Sequence, residues 1–411
     1  MIKIGLIKEE KIPVDNRVAL TPEQCKWVMQ QFANVLIVAQ QSDVRCFSDD
    51  EYRRAGISVV DDLSDCQILL GIKEVPVKNL IADKTYLFFS HTKKKQAYNQ
   101  PLMQALLEKN ITLIDYECLE HEDGQRIIGF GFFAGIVGAH NGMMAYGKRT
   151  GSFDLGRVYK NHSFKDLIHT YFGLKIPNIK IAVTGSGRVA HGIIEIMNLM
   201  GVIEVEKEEF LAREFSYPVY VQLKGPDLYH HKENRTYIRD HFHLHPEEYE
   251  CLFKNYLSQT DVLMNGVYWD VNIPRLFDMK EVQRDDFRIQ VVADVTDDAQ
   301  GSVPINLGDQ SIEYPIYGVD KQTFQKTAPG LSTSVDVMAV GNLPNELPRD
   351  ASQYFGEQLI RLILPDLLTN SSDIIERATI VKKGKLTHHF DYLHDYAYGT
   401  INTNNSLAVN E

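Results

Sequence analysis

The segment KIAVTGSGRVAHGIIEIMNLMG, which starts at Lys180, constrains the fold more than any other part of the chain. Its apolar run from Ile181 to Val183 is typical of a buried strand, and IIEIMNLMG is typical of a helix. Between them, Gly185, Gly187 and Ala190 match the pattern GxGxxA, in which glycines permit a tight turn and the close approach of a pyrophosphate. The segment therefore predicts a strand, turn and helix that bind a dinucleotide, with a purely structural glycine turn as the alternative.

The same motif directs attention to a carboxylate about 20 residues further on, which holds the ribose hydroxyls in such sites. GVIEVEKEEF offers several glutamates, and Glu206 follows the apolar pair Ile203 and Val205. We expect Glu206 to contact the cofactor, with Gly185, Gly187, Arg188 and Val189 of the turn. A carboxylate there would favour NAD over NADP, although a solvated acidic helix start explains the glutamates nearly as well. The predicted cofactor is NAD or NADP.

Apolar runs alternate with helical patterns along most of the chain, for example IKIGLI, NVLIVAQ, CQILLGI and TYLFFS. This alternation predicts an α/β protein with two Rossmann-like domains, parallel sheets and an interdomain active-site cleft. We expect a substrate domain at 1–130, a nucleotide-binding domain at 131–344 and helices at 345–400 that join the first domain. Thr21 and Pro22 predict a helix start. The polar stretch from Ile401 is expected to fray.

The composition limits the classes of molecule that the protein is expected to bind. The 411 residues carry a net charge of -12, which argues against nucleic acid or an anionic membrane as a partner. No apolar run reaches the ~18 residues of a membrane span, and the N-terminus lacks a signal-peptide pattern. Five scattered cysteines without a CxxC pair predict a reducing, cytoplasmic environment. We expect a small-molecule substrate and allow a homo-oligomer.

Titratable residues follow three successive apolar strands: Lys73 after CQILLGI, His91 after TYLFFS, and Glu117 after ITLIDY. Arg17 and Lys11 lie in the loop after the first strand. One such residue would not indicate a functional site, since charged loops are common. Several together at strand ends predict a shared pocket, because open α/β sheets bind ligands at that edge.

The motifs NRVALTP, GIKEVP, FFSHTKKKQ, LIDYE and GFGFFAG occur in the order found in lysine-forming saccharopine dehydrogenases. VTGSGRVAHG, LMNGVYWDVNIPRL, VVADVTDDAQGS and GNLPNELPRDASQYFGEQL continue the likeness to about residue 370. The chain resembles especially the lysine–2-oxoglutarate reductase domain of bifunctional lysine-degrading enzymes. More distantly it is similar to alanine dehydrogenase and to the nucleotide-binding subunit of transhydrogenase.

The resemblance implies an NAD(P)-dependent enzyme that interconverts saccharopine with lysine and 2-oxoglutarate through an imine. It also implies roles for individual residues. The implied catalytic residues are Lys73, His91 and Asp298. The implied substrate ligands are Arg17, Lys11, Lys94 and Glu117. The implied cofactor contacts of the second domain are Asn265, Gly266 and Asp294. Gln125 stands where some relatives carry arginine.

Two other functions stay open at this point. An alanine dehydrogenase, or a dehydrogenase of another small amino acid, would share the layout, and a nucleotide-binding module without catalysis would share the glycine turn. A metal site is not expected. His241, His243 and His245 alternate and would align on a strand, but Pro246 and the residues after it favour a loop that enters a helix.

Overall fold

The computed structural model describes residues 1–369 and 372–400, so the stretch from Ile401 that we expected to fray lies outside the described residues. The described chain forms two compact units. Unit 1 comprises Met1–Phe130 and the described residues after Leu347, and unit 2 comprises Gly131–Leu347.

The first part of unit 1 alternates strands with helices. Its elements are β1 (Ile2–Leu6), α1 (Pro22–Gln31), β2 (Val35–Gln40), α2 (Asp49–Arg54), β3 (Ser58–Val60), β4 (Ile68–Leu70), β5 (Thr85–Phe88), α3 (Gln100–Glu108) and β6 (Thr112–Asp115). Helix α1 begins as predicted: the Thr21 side chain accepts a hydrogen bond from the Gln24 amide, and Pro22 occupies the first turn.

Unit 2 has a second alternating series. Its elements are α4 (Gly131–Thr150), α5 (Phe164–His169), β7 (Lys180–Thr184), α6 (Arg188–Leu199), β8 (Ile203–Glu204), α7 (Lys207–Ala212), β9 (Val219–Leu223), α8 (Gly225–Leu228), β10 (Tyr229–His231), α9 (Arg239–Leu244), β11 (Tyr249–Cys251), β12 (Val262–Asn265), β13 (Val291–Asp294), β14 (Ile316–Asp320), β15 (Lys326–Thr327) and β16 (Ser334–Met338).

The chain then returns to unit 1. The elements there are α10 (Pro348–Gln358), a π-helical stretch (Leu359–Ile363), α11 (Leu364–Thr369), α12 (Asp373–Ala378), β17 (Thr379–Lys382), β18 (Lys385–Leu386) and α13 (His394–Tyr398). The chain from Pro348 to Thr369 therefore forms a helical run that a π-helical stretch interrupts.

Each unit is built on one extended sheet. Among the described residues, the strand order is β18-β17-β6-β5-β4-β1-β2-β3 in unit 1 and β15-β14-β16-β13-β12-β7-β9-β8 in unit 2. Strands β1 to β6 pair in parallel, as do the central strands of unit 2. The α/β prediction with two Rossmann-like sheets is confirmed. Both sheets are mostly parallel, and β14, β15, β17 and β18 add antiparallel pairs at one edge of each sheet.

Glycines bring α4 and α6 of unit 2 into backbone contact. A Cβ on Gly135 would lie 2.0 Å from the Val189 carbonyl oxygen, and a Cβ on Gly192 would lie 2.0 Å from that of Phe132. Only glycine allows this approach. Gly192, which follows the GxGxxA motif, therefore serves helix packing.

No helix within residues 1–369 and 372–400 combines the length and the apolar character that crossing a membrane requires.

Candidate active-site residues in the two units

In unit 1, the loops after four adjacent strands carry the residues that the sequence singled out. Strands β6, β5, β4 and β1 are neighbours and parallel, so their carboxyl ends share one edge of the sheet. Glu117, His91, Lys73 and Lys11 follow these four strands in that order. Parallel pairing therefore gathers side chains that lie more than 100 residues apart in sequence.

Glu74 is the centre of this cluster. Its Oε1 lies 2.6 Å from His91 Nδ1, and its two oxygens accept hydrogen bonds of 2.9 and 2.8 Å from Lys11 Nζ. Asn99 donates to the same Oε1 at 3.3 Å. Burial opposes ionisation, but the bonds and charges of His91 and Lys11 lower the pKa of Glu74 to about 2. The carboxylate orients the His91 ring, and the sequence reasoning missed it although GIKEVP contains it.

Lys73 is partly buried beside the same cluster. Burial and the nearby Arg17 guanidinium lower the pKa of Lys73 to about 8, so its amine can gain or lose a proton near neutral pH. Its backbone is held by Glu9, whose carboxylate accepts hydrogen bonds from the Ile72 amide (2.6 Å) and the Lys73 amide (2.9 Å). Burial and the Asp15 carboxylate raise the pKa of Glu9 to about 8.

Arg17 is more enclosed than a substrate clamp in a loop would be. It is 3% exposed, its Nε and Nη2 donate to Asp15 at 2.9 and 2.6 Å, and its guanidinium lies 4.2 Å from the Phe130 ring centroid. Burial opposes ionisation of Asp15, yet Arg17 lowers the pKa of Asp15 to about 2. The structure thus places one edge of the Arg17 fork on Asp15, and its binding of a substrate carboxylate stays a prediction.

Glu117 is buried, and one of its carboxylate oxygens lies near two cationic side chains. Its Oε1 lies 2.9 Å from Arg126 Nη2 and 3.8 Å from Lys94 Nζ. Its Oε2 is buried and, among the described residues, has no hydrogen-bond partner. Burial opposes ionisation, but Arg126 and nearby lysines lower the pKa of Glu117. Gln125 is exposed, and it is the next residue, Arg126, that supplies the guanidinium here.

The loop that carries His91 is anchored by the aromatic segment near the end of the described chain. His91 has a φ of +53°, a left-handed conformation that is costly for a residue with a side chain. The hydroxyl of Tyr392 donates to the Lys93 carbonyl at 3.1 Å, and that of Tyr396 donates to the Gln96 carbonyl at 2.7 Å. These bonds hold both sides of the turn that follows His91.

In unit 2, the glycine turn has the geometry that a dinucleotide requires. Gly185 has a φ of +102°, and a Cβ there would lie 2.7 Å from the Gly266 carbonyl oxygen. Gly187 is the N-cap residue of α6, and a Cβ there would meet no atom within 4 Å. Open space at the N-terminus of a 12-residue helix fits a pyrophosphate, since unpaired amides and the helix dipole favour anions. Arg188 and Val189 form the first turn of that helix.

Asn265 and Asp294 lie at the carboxyl ends of β12 and β13, and both are fully buried. Asn265 accepts from Thr184 Oγ1 at 2.7 Å and donates to Asp294 Oδ1 at 2.9 Å and Ser302 Oγ at 2.8 Å. Burial raises the pKa of Asp294. The side chains join neighbouring strand ends, so the structure gives them a structural task, and their predicted cofactor contacts stay predictions. Gly266 likewise admits close packing: a Cβ there would lie 2.9 Å from Val189 Cγ1.

Asp298 is exposed, whereas its neighbour Asp297 is half-buried. Asp297 has a φ of +57°, and its Oδ1 has no hydrogen-bond partner among the described residues. Burial, and then the carboxylates of Asp309, Asp294 and Asp298, raise the pKa of Asp297 to about 8. The sequence reasoning missed Asp297, because the likeness to known motifs points to position 298. The catalytic role of Asp298 stays a prediction.

The histidine-rich stretch does not form a strand, and the residues from Pro246 form only one 3-10 turn, Pro246–Glu248, before the strand β11. His241 and His243 lie in α9, and Tyr249–Cys251 pairs with Tyr229–His231 as an antiparallel hairpin. The hairpin pairing overrides the helical pattern after Pro246.

Within that hairpin region, His231, His241 and Glu248 come close enough to hold an ion. The backbone amide of Glu233 donates to His231 Nδ1 at 3.0 Å, so the neutral ring carries its proton on Nε2 and donates to Glu248 Oε2 at 3.0 Å. A nitrogen that carries a proton cannot bind a metal. The arrangement argues for a hydrogen-bonded cluster.

Solved structures share this architecture. An L-alanine dehydrogenase matches 96% of this chain and 99% of its own with a TM-score of 0.62 at 19% identity. A transhydrogenase from Sinorhizobium meliloti matches 94% of this chain and 99% of its own, with a TM-score of 0.56 at 14% identity. These likenesses show the fold.

Sequence comparison identifies similar proteins. Residues 5–137 match the family model described as alanine dehydrogenase/PNT, N-terminal domain. The mitochondrial alpha-aminoadipic semialdehyde synthase of Mus musculus is 29% identical over 452 residues, which cover 95% of this chain and 47% of that protein. By sequence, the chain is similar to proteins of the alanine dehydrogenase/transhydrogenase superfamily. Saccharopine dehydrogenases are among the proteins that it resembles. The NAD(+), L-lysine-forming saccharopine dehydrogenase of Candida glabrata is 27% identical over 86% of this chain and 89% of its own. The chain spans about half the length of the semialdehyde synthases that it matches.

Proposed function

We propose that the protein is an NAD(P)-dependent oxidoreductase of CH–NH donors that interconverts saccharopine with lysine and 2-oxoglutarate. The observation that carries this proposal is the cluster of Lys73, Glu74 and His91 at adjacent strand ends of unit 1. It combines an amine that titrates near pH 8 with an imidazole fixed by a carboxylate. The similarity to saccharopine dehydrogenases supplies the substrate class.

The reaction needs proton transfers that this cluster is built to perform. In the direction of lysine release, the nitrogen of the secondary amine loses a proton and the adjacent carbon of the glutarate part loses a hydride, which forms an imine. Water then adds to the imine carbon, and the C–N bond breaks to give lysine and 2-oxoglutarate. An oxidised nicotinamide cofactor, which the glycine turn of unit 2 would hold, would accept the hydride. Lys73 is suited to accept the amine proton in its deprotonated form, because burial and the Arg17 guanidinium lower its pKa to about 8. His91, held by Glu74, is suited to deprotonate the water and to protonate the departing amine.

The substrate's three carboxylates and its ammonium group need partners of opposite charge. Lys94 and Arg126 flank Glu117 and offer cations for carboxylates, and Arg is well shaped for a bidentate contact. The buried Oε2 of Glu117 has no hydrogen-bond partner within residues 1–369 and 372–400, and it can accept a hydrogen bond from an ammonium group. Lys11 forms an ion pair with Glu74, and this pair helps to keep the Glu74 carboxylate charged.

The test is a pair of assays on the purified chain. Oxidation of NADH and NADPH is followed with lysine plus 2-oxoglutarate, and separately with pyruvate plus ammonia. We expect turnover in the first mixture only, and a His91→Gln variant should lower kcat by ~100-fold or more. Turnover confined to the second mixture would replace the proposal with an alanine dehydrogenase. Turnover in neither, with nucleotide binding retained, would support a non-catalytic module.

A further inference from the structure

The strand order of unit 2 differs from the usual dinucleotide-binding arrangement in one place. In that arrangement, the strand after the first helix pairs with the glycine-turn strand, and its carboxyl end reaches the adenine ribose. Here the chain leaves α6 and enters β8, but β8 pairs only with β9 among the described strands. The glycine-turn strand β7 lies between β12 and β9, so its neighbour on the side of β8 is β9. The ribose position therefore falls at the end of β9.

The register identifies the residue at that position. Thr184 of β7 pairs with Leu223 of β9, and the Gly185 amide donates to the Leu223 carbonyl at 2.9 Å. The next residue, Lys224, is therefore level with Gly185. Glu206, in contrast, follows the outer strand β8, which lies one strand spacing of about 4.8 Å further from the glycine turn. The acidic residue that the sequence suggested is displaced from the ribose position.

The pattern of β9 also gives the face on which Lys224 lies. The Tyr220 hydroxyl donates to Asn198 of α6 at 3.2 Å, and Gln222 Nε2 donates to the Gly185 carbonyl at 2.9 Å. Side chains two residues apart share a face of a strand. The backbone of Lys224 is still extended (φ -89°, ψ 174°), so the row continues to Lys224 on the side of α6 and the glycine turn.

The charged side chains near Lys224 leave its ammonium group able to bind an anion. Lys224 is exposed. The nearest carboxylate of its own loop, Asp227, accepts from the Lys224 amide with Oδ2 at 3.1 Å and pairs with Lys207 Nζ through Oδ1 at 2.5 Å. The Lys207 ammonium thus offsets the Asp227 charge. The Lys224 ammonium group can bind a 2′-phosphate. It cannot accept a hydrogen bond from a 2′-hydroxyl, as the carboxylate of an NAD site does.

We propose that unit 2 selects the 2′-phosphorylated cofactor, NADP(H), and that Lys224 is the residue that binds the 2′-phosphate. The inference rests on the proposed function for the presence of a nicotinamide cofactor. It reverses the preference for NAD that Glu206 suggested from the sequence.

The test measures binding by calorimetry on the full chain and does not depend on turnover. The probes are 2′,5′-ADP and 5′-AMP, which differ only in the 2′-phosphate, together with NADP+ and NAD+. The wild type is expected to bind the phosphorylated member of each pair more tightly. Lys224→Ala should lower that preference about 10- to 100-fold, the size of one hydrogen bond to a charged group, and leave the affinity for 5′-AMP unchanged.

Two variants separate the alternatives. Lys254→Ala removes another exposed lysine of unit 2 and should leave the preference unchanged. Glu206→Gln should also leave it unchanged, because Glu206 follows the outer strand. A preference for NAD+ in the wild type that Glu206→Gln weakens would overturn the inference and leave the proposed function standing. Absence of binding of both NAD+ and NADP+ would overturn the proposed function itself.

Discussion

Replacing Lys73 with methionine should stabilise the protein while it removes catalysis. In the folded chain the pKa of Lys73 is about 8, against about 10.4 for an unperturbed lysine. Each unit of that difference corresponds to about 1.4 kcal/mol, and the full shift would cost about 3 kcal/mol. Because the side chain is only partly buried, we discount this to about 2 kcal/mol. Methionine fills a similar unbranched volume without a charge, so Lys73→Met should recover this free energy at pH 7.

The pH dependence gives this prediction its sign. Below pH 8 both the folded and the unfolded chain carry the charged amine, so the cost is complete and constant. Between pH 8 and about 10.4 the unfolded chain binds more protons, so wild-type stability rises with pH and approaches that of the variant. Urea denaturation at pH 7, 8, 9 and 10 measures this convergence, and Lys78→Met, at an exposed lysine of unit 1, is the matched control. In parallel, kcat should fall ~100-fold or more. A Lys73→Met variant that is no more stable than wild type at pH 7, or whose stability gap is the same at pH 10, would refute the assignment of a destabilised buried amine.

The remaining predictions concern positioning and packing. Glu74→Gln should lower the free energy of unfolding at pH 7 by roughly 2–3 kcal/mol, because the low pKa of Glu74 contributes stability only while the carboxylate is charged. In urea denaturation, the difference between the variant and the wild type should therefore disappear as the pH falls from about 4.5 towards 2. Gly187→Ala should weaken cofactor binding tenfold or more without changing stability, since its Cβ meets open space, whereas Gly135→Ala should prevent or strongly destabilise folding of unit 2, as judged by circular dichroism. Tyr396→Phe should lower kcat with little change in Tm, because its hydroxyl holds the turn after His91; Tyr398→Phe, at an exposed tyrosine of the same helix, should act like wild type, and equal kcat in both variants would contradict the anchoring role.

The strand-end residues of unit 1 illustrate what a sequence pattern can reach. Apolar runs followed by Lys73, His91 and Glu117 predicted one edge of a parallel sheet, and the pairing of β4, β5 and β6 confirms that these positions share it. The glycine pattern predicted the turn after β7, because the backbone conformations that glycine permits are a local property of the chain.

The partners of these residues could not be found in the same way. Glu74 stands next to Lys73 in sequence, yet its bonds go to Lys11 and His91, which come from other loops. Arg126 reaches Glu117 from nine residues away. Such pairs arise where loops converge, and no local pattern records that convergence.

The chain's sequence by itself determined the α/β class, the glycine turn and the edge of the sheet where titratable groups gather, because strand periodicity and turn chemistry act over a few residues. Only the tertiary structure decided which groups act together. It decided that the strand after α6 lies outside β9, which exchanges Glu206 for Lys224 beside the glycine turn. Strand order depends on the packing of the whole sheet, and a motif that counts residues along the chain cannot detect two strands that have exchanged places.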